Sequence, residues 1–237
     1  MIDTRTFEEE YLALREKENR IYTDEEVKLL PEIDPLHPHY KEWQMRKRSC
    51  QQLVHYLINK GKQLNILEIG CGNGWLSAHL AKTSRGKVTG LDINRTELEQ
   101  AKRVFGHIEN LDFLYGGMKE NIPGKKFDVI VFAASIQYFP TLDEIIGPAL
   151  EHLDPKGEIH ILDSHFYKSA EVEAARERSV EYYQTIHFPE MSHYYFHHSI
   201  EELKPYEHKI LHNPNYIIHQ IMKNKNPFYW ISIHHHA

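Results

Sequence analysis

A short apolar run, Leu64, Ile66, Leu67 and Ile69, ends in glycines at positions 70, 72 and 74 and continues into Trp75-Leu76 and a helical pattern. The run has the length and composition of a strand buried on both faces. Glycine at alternate positions lets the backbone turn sharply and lets a ligand approach main-chain atoms that a Cβ would block. Spacing narrows the choice of ligand. A dinucleotide fingerprint would place its third glycine at position 75, where Trp75 stands, so the pattern weighs against a pyrophosphate. Glu68 adds negative charge beside the loop, which would repel a diphosphate and suits a ligand with cationic groups.

The same loop sets the frame for the rest of the chain. Strand-like runs recur at Val88 to Leu91, Leu111 to Tyr115, Phe127 to Ala133 and Glu158 to Leu162, with helical stretches Leu76 to Lys82, Arg95 to Phe105 and Leu142 to Leu150 between several of them. This alternation predicts an α/β fold, a Rossmann-like doubly wound sheet with right-handed crossovers. Ahead of it, Phe7 to Asn19 and His39 to Lys60 read as helices, the first within a solvated face of mixed charge from Phe7 to Glu26. After Asp163 come a helix over Ala170 to Gln184, an aromatic and histidine-rich stretch, and a late strand pair near His208 to Leu211 and Phe228 to Ile233, expected to be antiparallel. The predicted organisation is one domain over 1–237: a helical cap (1–60), a ligand-binding core (61–165) and an aromatic, histidine-rich segment with the late strands (166–237).

Composition bounds the function. In 237 residues, 41% hydrophobic and 26% charged, with a net charge of −6, there is no basic field for nucleic acid and no apolar run of the roughly 20 residues that cross a bilayer. Cys50 and Cys71 cannot make a disulfide framework, so reduced thiols and a cytoplasmic protein are expected. His193 and His197 are spaced for a shared helix face that would suit zinc, yet no HExxH motif completes them and no metal site is expected. Their neighbours, Tyr182-Tyr183 and His193 to Phe196, read equally as a pocket lid or as a buried aromatic cluster.

Val88 to Asp92 reads as a second strand ending in a carboxylate 22 residues after Gly70, a position from which Asp92 can accept hydrogen bonds from both hydroxyls of a ribose. With the glycine loop, this resembles the class I S-adenosylmethionine-dependent methyltransferases. Leu67 to Gly74 is similar to their first motif, Leu91-Asp92-Ile93 to their second, Phe127 to Val131 to their fourth strand, and Leu153 to Glu158 to the turn before their fifth. The resemblance covers about residues 64 to 163. It implies a seven-stranded, mostly parallel sheet with an antiparallel final strand, and S-adenosylmethionine as the methyl donor. By the same resemblance Glu68, Gly70, Gly72 and Gly74 hold the methionine portion, within a loop that includes Cys71 and Asn73. Asp92 takes the ribose, Ile93 packs on adenine, and Ala133 and Ala134 meet the amino group through backbone carbonyls. Where many members have Gly-Asp-Ala after the third strand, this chain reads Gly116-Gly117-Met118, so adenine would be held by backbone and by Met118. Arg46 stands where some relatives contact the donor's carboxylate.

Methyl transfer is an in-line displacement in which alignment and exclusion of water do most of the work. If the acceptor carries a proton, a base is useful; His165, just after the fifth strand, is the first candidate and Tyr138, just beyond the fourth, the second. The expected acceptor is a small molecule or metabolite, not a nucleic acid or a membrane component. The rival readings are a non-catalytic nucleoside-binding protein of the same fold and an NAD-dependent oxidoreductase.

Overall fold

The computed structural model describes residues 4–118, 122, 126–216 and 226–235, with side chains from Phe7 onward. Three helices come first, α1 (Thr4–Lys17), α2 (Asp24–Leu29) and α3 (Tyr40–Ile58). Then follow β1 (Ile66–Ile69), α4 (Trp75–Thr83), β2 (Val88–Asp92), α5 (Arg95–Phe105), β3 (Leu111–Tyr115), β4 (Phe127–Ala133), α6 (Asp143–His152) and β5 (Leu153–Ser164). Beyond them lie β6 (Phe166–Tyr167), α7 (Val172–Thr185), β7 (His198–Ser199), β8 (Glu207–His212) and β9 (Tyr229–His234).

Seven strands make one sheet in the order β3-β2-β1-β4-β5-β9-β8. The first five in that order run parallel. β9 lies antiparallel between β5 and β8, so the expected α/β sheet and its antiparallel last strand are both present. Side chains alternate across the sheet, as the pleat requires. Ile66 on β1 and Val129 and Val131 on β4 enter the core shared with α3, α4 and α5. Leu67, Ile130 and Phe132 enter the opposite core with α6. Burial on both faces is why these strands read as unbroken apolar runs. Strand order reverses beside β1, which has β2 on one side and β4 on the other, and the carboxyl ends of these strands open the crevice where ligands bind in such sheets.

Helix starts follow local chemistry. Thr23 and Glu26 form a reciprocal capping box at α2, and the Asn94 side chain accepts from the Glu97 amide at the start of α5 (3.0 Å); each satisfies an otherwise unpaired donor. β5 begins earlier than the sequence suggests, because Leu153 pairs with Phe127 before the register shifts to Val129 opposite Glu158.

Two expectations need correction. The segment from Phe7 is no solvated face: Phe7 and Leu14 are buried and Tyr11 packs with them against Tyr183 and Met191. Their spacing of i, i+4, i+7 is a helical stripe, masked by the surrounding Glu and Arg. His193 and His197 do not share a helix face either, since the chain makes a 3-10 turn over Pro189–His193 and then leaves it. His197 instead shares a 2.8 Å hydrogen bond with the Ser179 hydroxyl. A short parallel pair, Phe166 with His198 and Tyr167 with Ser199, ties this aromatic stretch to the end of β5.

Candidate active site

The glycine loop turns because three residues take the left-handed region, Gly70 (φ 73°), Gly72 (φ 52°) and Gly74 (φ 76°). Gly70 is also pinned by contact, as a Cβ there would lie 2.5 Å from the Ser135 Cβ. Gly74 serves packing: a Cβ would meet the Phe113 ring at 2.6 Å and the Ala101 methyl at 2.9 Å. It faces the core behind the loop, unlike Gly70, Cys71, Gly72 and Asn73, which line a cavity.

That cavity, about 470 Å³, spans the carboxyl ends of β1, β4 and β5 and is roofed by α1, α3 and α7. A smaller one, about 130 Å³, lies between the ends of β1, β2 and β4 and takes in Asp92, Ile93, Gly117 and Met118. The two share Tyr11, Gly70, Gly72, Glu97, Ala134 and Tyr138. Arg46, Glu68, Ala133, Tyr138 and His165 all line the larger one. Of the residues assigned to the donor or the acceptor from the sequence, Gly74 alone reaches neither cavity.

The small cavity has the character of a nucleoside site. Asp92 accepts backbone N–H bonds from Gly72 (2.6 Å) and Asn94 (2.7 Å), one on each carboxylate oxygen, which leaves further lone pairs on both. Around it stand Phe7, Leu91, Ile93, Met118 and Phe139, an apolar slot suited to a planar ring. Gly117 has open space where a Cβ would project.

The acids here are held toward their neutral forms. Burial, reinforced by the Asp92 charge, raises the Glu68 carboxyl to about 8 although the Ser77 hydroxyl donates to it at 2.5 Å. Burial and the neighbouring Glu97 raise Asp92 to about 7 against its backbone hydrogen bonds. Burial thus favours the neutral form of Glu68, which revises the charge argument drawn from sequence: the site is one that a cationic ligand would help to ionise.

Sequence reasoning did not single out Asp163, Arg15, Tyr11 or Glu97. Asp163, next to last in β5, has φ 54°, and Ala134, just past the end of β4, has the same value; such conformations in residues with a Cβ cluster at functional sites. Ser49 donates to Asp163 at 2.6 Å, and burial raises that carboxyl to about 6 while Arg46 lowers it. Arg46 is also engaged by Glu42 (Nε 3.1 Å, Nη2 3.0 Å), leaving its other terminal nitrogen for a ligand. Tyr11 and Arg15, one turn apart on α1, both face the cavity; their i, i+4 spacing was the available signal. His165 stacks on Tyr167 and meets Phe228 edge-on, and burial lowers its pKa. Tyr138 lies amid Phe7, Tyr11 and Tyr195, and burial keeps its phenol protonated. Cys71 is a buried thiol with its pKa pushed up by burial, unsuited to act as a nucleophile.

Strand order, loop and carboxylate together define a family, and comparison with known proteins agrees. Residues 60–225 match the family model described as "Methyltransferase domain", and the chain belongs to that family. Among curated relatives it is similar to malonyl-[acyl-carrier protein] O-methyltransferase 1 of Ilyobacter polytropus, 32% identical over 49% of this chain and 44% of that one. It is also similar to the fatty-acid O-methyltransferase of Mycolicibacterium smegmatis, 32% identical over 39% of this chain and 34% of the other. The chain thus spans less than half the length of these relatives. Among solved structures, magnesium protoporphyrin IX methyltransferase from Synechocystis with bound SAH shares the fold, with a TM-score of 0.63 and 15% identity over 98% of this chain and all of the other.

Proposed function

We propose that the protein transfers a methyl group from S-adenosylmethionine to a small molecule. The observation that carries this reading is the junction of the two cavities at Gly70, Gly72 and Ala134. One is small and apolar with Asp92 at its edge; the other is larger, polar and open to an acceptor. In this reading the nucleoside occupies the first, with Asp92 on the ribose hydroxyls and Ile93 and Met118 against adenine. The methionine portion passes along Gly70, Cys71, Gly72 and Asn73, above Glu68. Ala133 and Ala134 take its ammonium through backbone carbonyls, and Arg46 takes its carboxylate. His165 and Tyr138 touch the acceptor in the remaining space.

What the bound donor supplies is a methyl group already activated by a positively charged sulfur. The chain's own contribution is alignment and a water-poor site. The small-molecule class is supported by the aromatic closure over the site, and the names of the relatives point the same way. A net charge of −6 weighs against nucleic acid as substrate. No helix among the described residues is long and apolar enough to cross a membrane, and the two free, buried cysteines fit a cytoplasmic place. The reading also treats the helices before β1, the sheet and the segment after β5 as one working domain, because Tyr11, Glu68 and Tyr183 line one cavity.

A thermal-shift comparison tests it. S-adenosylmethionine and S-adenosylhomocysteine should each raise the unfolding midpoint, and NAD should not. Stabilisation by NAD alone would return the oxidoreductase reading, whereas stabilisation by both sulfur compounds without methyl transfer to any acceptor would leave a nucleoside-binding protein.

A further inference from the structure

The acceptor side of the larger cavity offers donors with nothing to donate to. Among the described residues, the hydroxyls of Tyr138, Tyr167, Tyr183 and Tyr195 all line the cavity without a hydrogen-bond partner. The Arg15 Nε is buried and has none either. Arg15 lies 5.7 Å from the Tyr11 ring centroid, which meets Tyr138 edge-on at 5.8 Å; Tyr138 meets Tyr195 at 6.0 Å. One continuous wall of rings therefore runs from the guanidinium to the far tyrosines. Burial opposes the charge on Arg15 and Glu97 favours it, and the group stays cationic. A cation with an unmet buried donor is costly unless an anion completes it.

The cavity's acids offset this only in part. Glu42 is shared by Arg20 (2.7 Å) and Arg46 (3.0 Å), and Glu18 pairs with Arg20 (3.0 Å) and accepts from the Tyr182 hydroxyl. Glu68 and Asp163 are engaged by Ser77 and Ser49, and Glu97, over Gly72, is one carboxylate facing two guanidiniums, Arg15 and Arg46. Arg178 on α7, with no ion-pair partner among the described residues, also lines the cavity. Nor does that side hold a strong base. His165 has rings around it and no carboxylate behind it to stabilise an imidazolium, and the tyrosines are held as phenols. Such a site favours a nucleophile that arrives already deprotonated.

From this arrangement we infer that the acceptor is a small carboxylic acid bound as its anion, its carboxylate facing Arg15 and the Tyr138 and Tyr195 hydroxyls, and that the product is the methyl ester. The inference rests on the function proposed above. In the step, one carboxylate oxygen forms a bond to the methyl carbon as the carbon–sulfur bond breaks. The electron pair of that bond goes to sulfur, the sulfonium becomes a thioether, the carboxylate becomes a neutral ester, and no proton moves.

The test is calorimetry on protein saturated with S-adenosylhomocysteine, titrated with phenylacetate, 3-phenylpropionate, phenylacetamide and 2-phenylethylamine. Methyl transfer from labelled S-adenosylmethionine is followed in parallel. The carboxylates should bind and yield methyl esters, and the amide and amine should do neither. Arg15→Met, checked for folding by circular dichroism, should weaken carboxylate binding by about tenfold or more, and Arg15→Lys should recover part of that loss. Affinity for S-adenosylhomocysteine and for 5′-methylthioadenosine, which lacks the amino-acid portion, should not change. Binding or methylation of the amine in preference to the carboxylates would overturn the inference, as would failure of both carboxylates to bind. A variant that loses S-adenosylhomocysteine but keeps methylthioadenosine would assign Arg15 to the donor's own carboxylate and overturn it as well. Failure of the wild-type protein to bind S-adenosylhomocysteine would remove the function proposal itself, an outcome distinct from the others.

Discussion

At the scale of single residues, the loop separates glycines by what they do. Gly70 and Gly72 keep main chain open to a cavity, whereas Gly74 keeps a Cβ out of the Phe113 ring. Gly74→Ala would combine a left-handed backbone with an overpacked contact, so a loss of about 2 to 4 kcal/mol is expected from denaturant unfolding; a loss below 1 kcal/mol would show that the contact relaxes freely. The buried acids carry a pH dependence. Glu68 and Asp92 have folded-state values near 8 and 7 against ordinary values of 4.5 and 3.8. Raised values mean that the native state keeps protons the unfolded chain releases, so their contribution to stability is full below about pH 4 and lost as pH rises toward 8. Between pH 5 and pH 8 these two carboxyls should pull the unfolding midpoint of the ligand-free protein down, against His160, His165 and His197, whose lowered values act the other way, and Glu68→Gln, which can still accept from Ser77, should give a midpoint that declines less over that range. An equally steep decline in the variant would remove Glu68 as its source. The glycine pattern and Asp92 were legible in the sequence because their chemistry is local. Asp163 and Arg15 were not, because their meaning depends on neighbours such as Ser49 and Tyr138, more than 100 residues away.

Among elements, α1 decides how closed the site is. It brings Phe7 over the small cavity and Tyr11 between both, and its packing partners come from α7, the 3-10 turn after it and Tyr138 rather than from the sheet. A helix anchored mainly over a ligand site should be less protected when that site is empty. Amide hydrogen exchange across α1 is expected to slow by about tenfold or more on adding S-adenosylhomocysteine, with β1 and β4 unchanged; uniform protection before and after would make α1 a fixed part of the core. The sheet's elements were readable, since β1, β2 and β4 are apolar on both faces and helix caps such as Thr23 and Asn94 announce themselves. The burial of α1 was hidden because its apolar stripe is interrupted by acidic and basic residues that its short sequence places all around it. The β6 with β7 pair was unreadable for another reason: two-residue ladders carry no periodicity.

The molecule as a whole is organised around one break in the order of its sheet. A reversal of strand order beside β1 leaves a crevice, and the chain furnishes that crevice with a carboxylate over an apolar slot on one side and a donor-lined cavity on the other. Methyl transfer needs both halves, and the donor half can be tested without knowing the acceptor. Calorimetric titration of S-adenosylhomocysteine into the wild-type chain and into Asp92→Ala is the direct measurement. The account predicts one site per chain, and an affinity in the variant weaker by roughly 1 to 3 kcal/mol from lost hydrogen bonds to a charged group, with the fold retained by circular dichroism. No binding to the folded wild-type chain at millimolar ligand, or equal affinity in the two proteins, would contradict it.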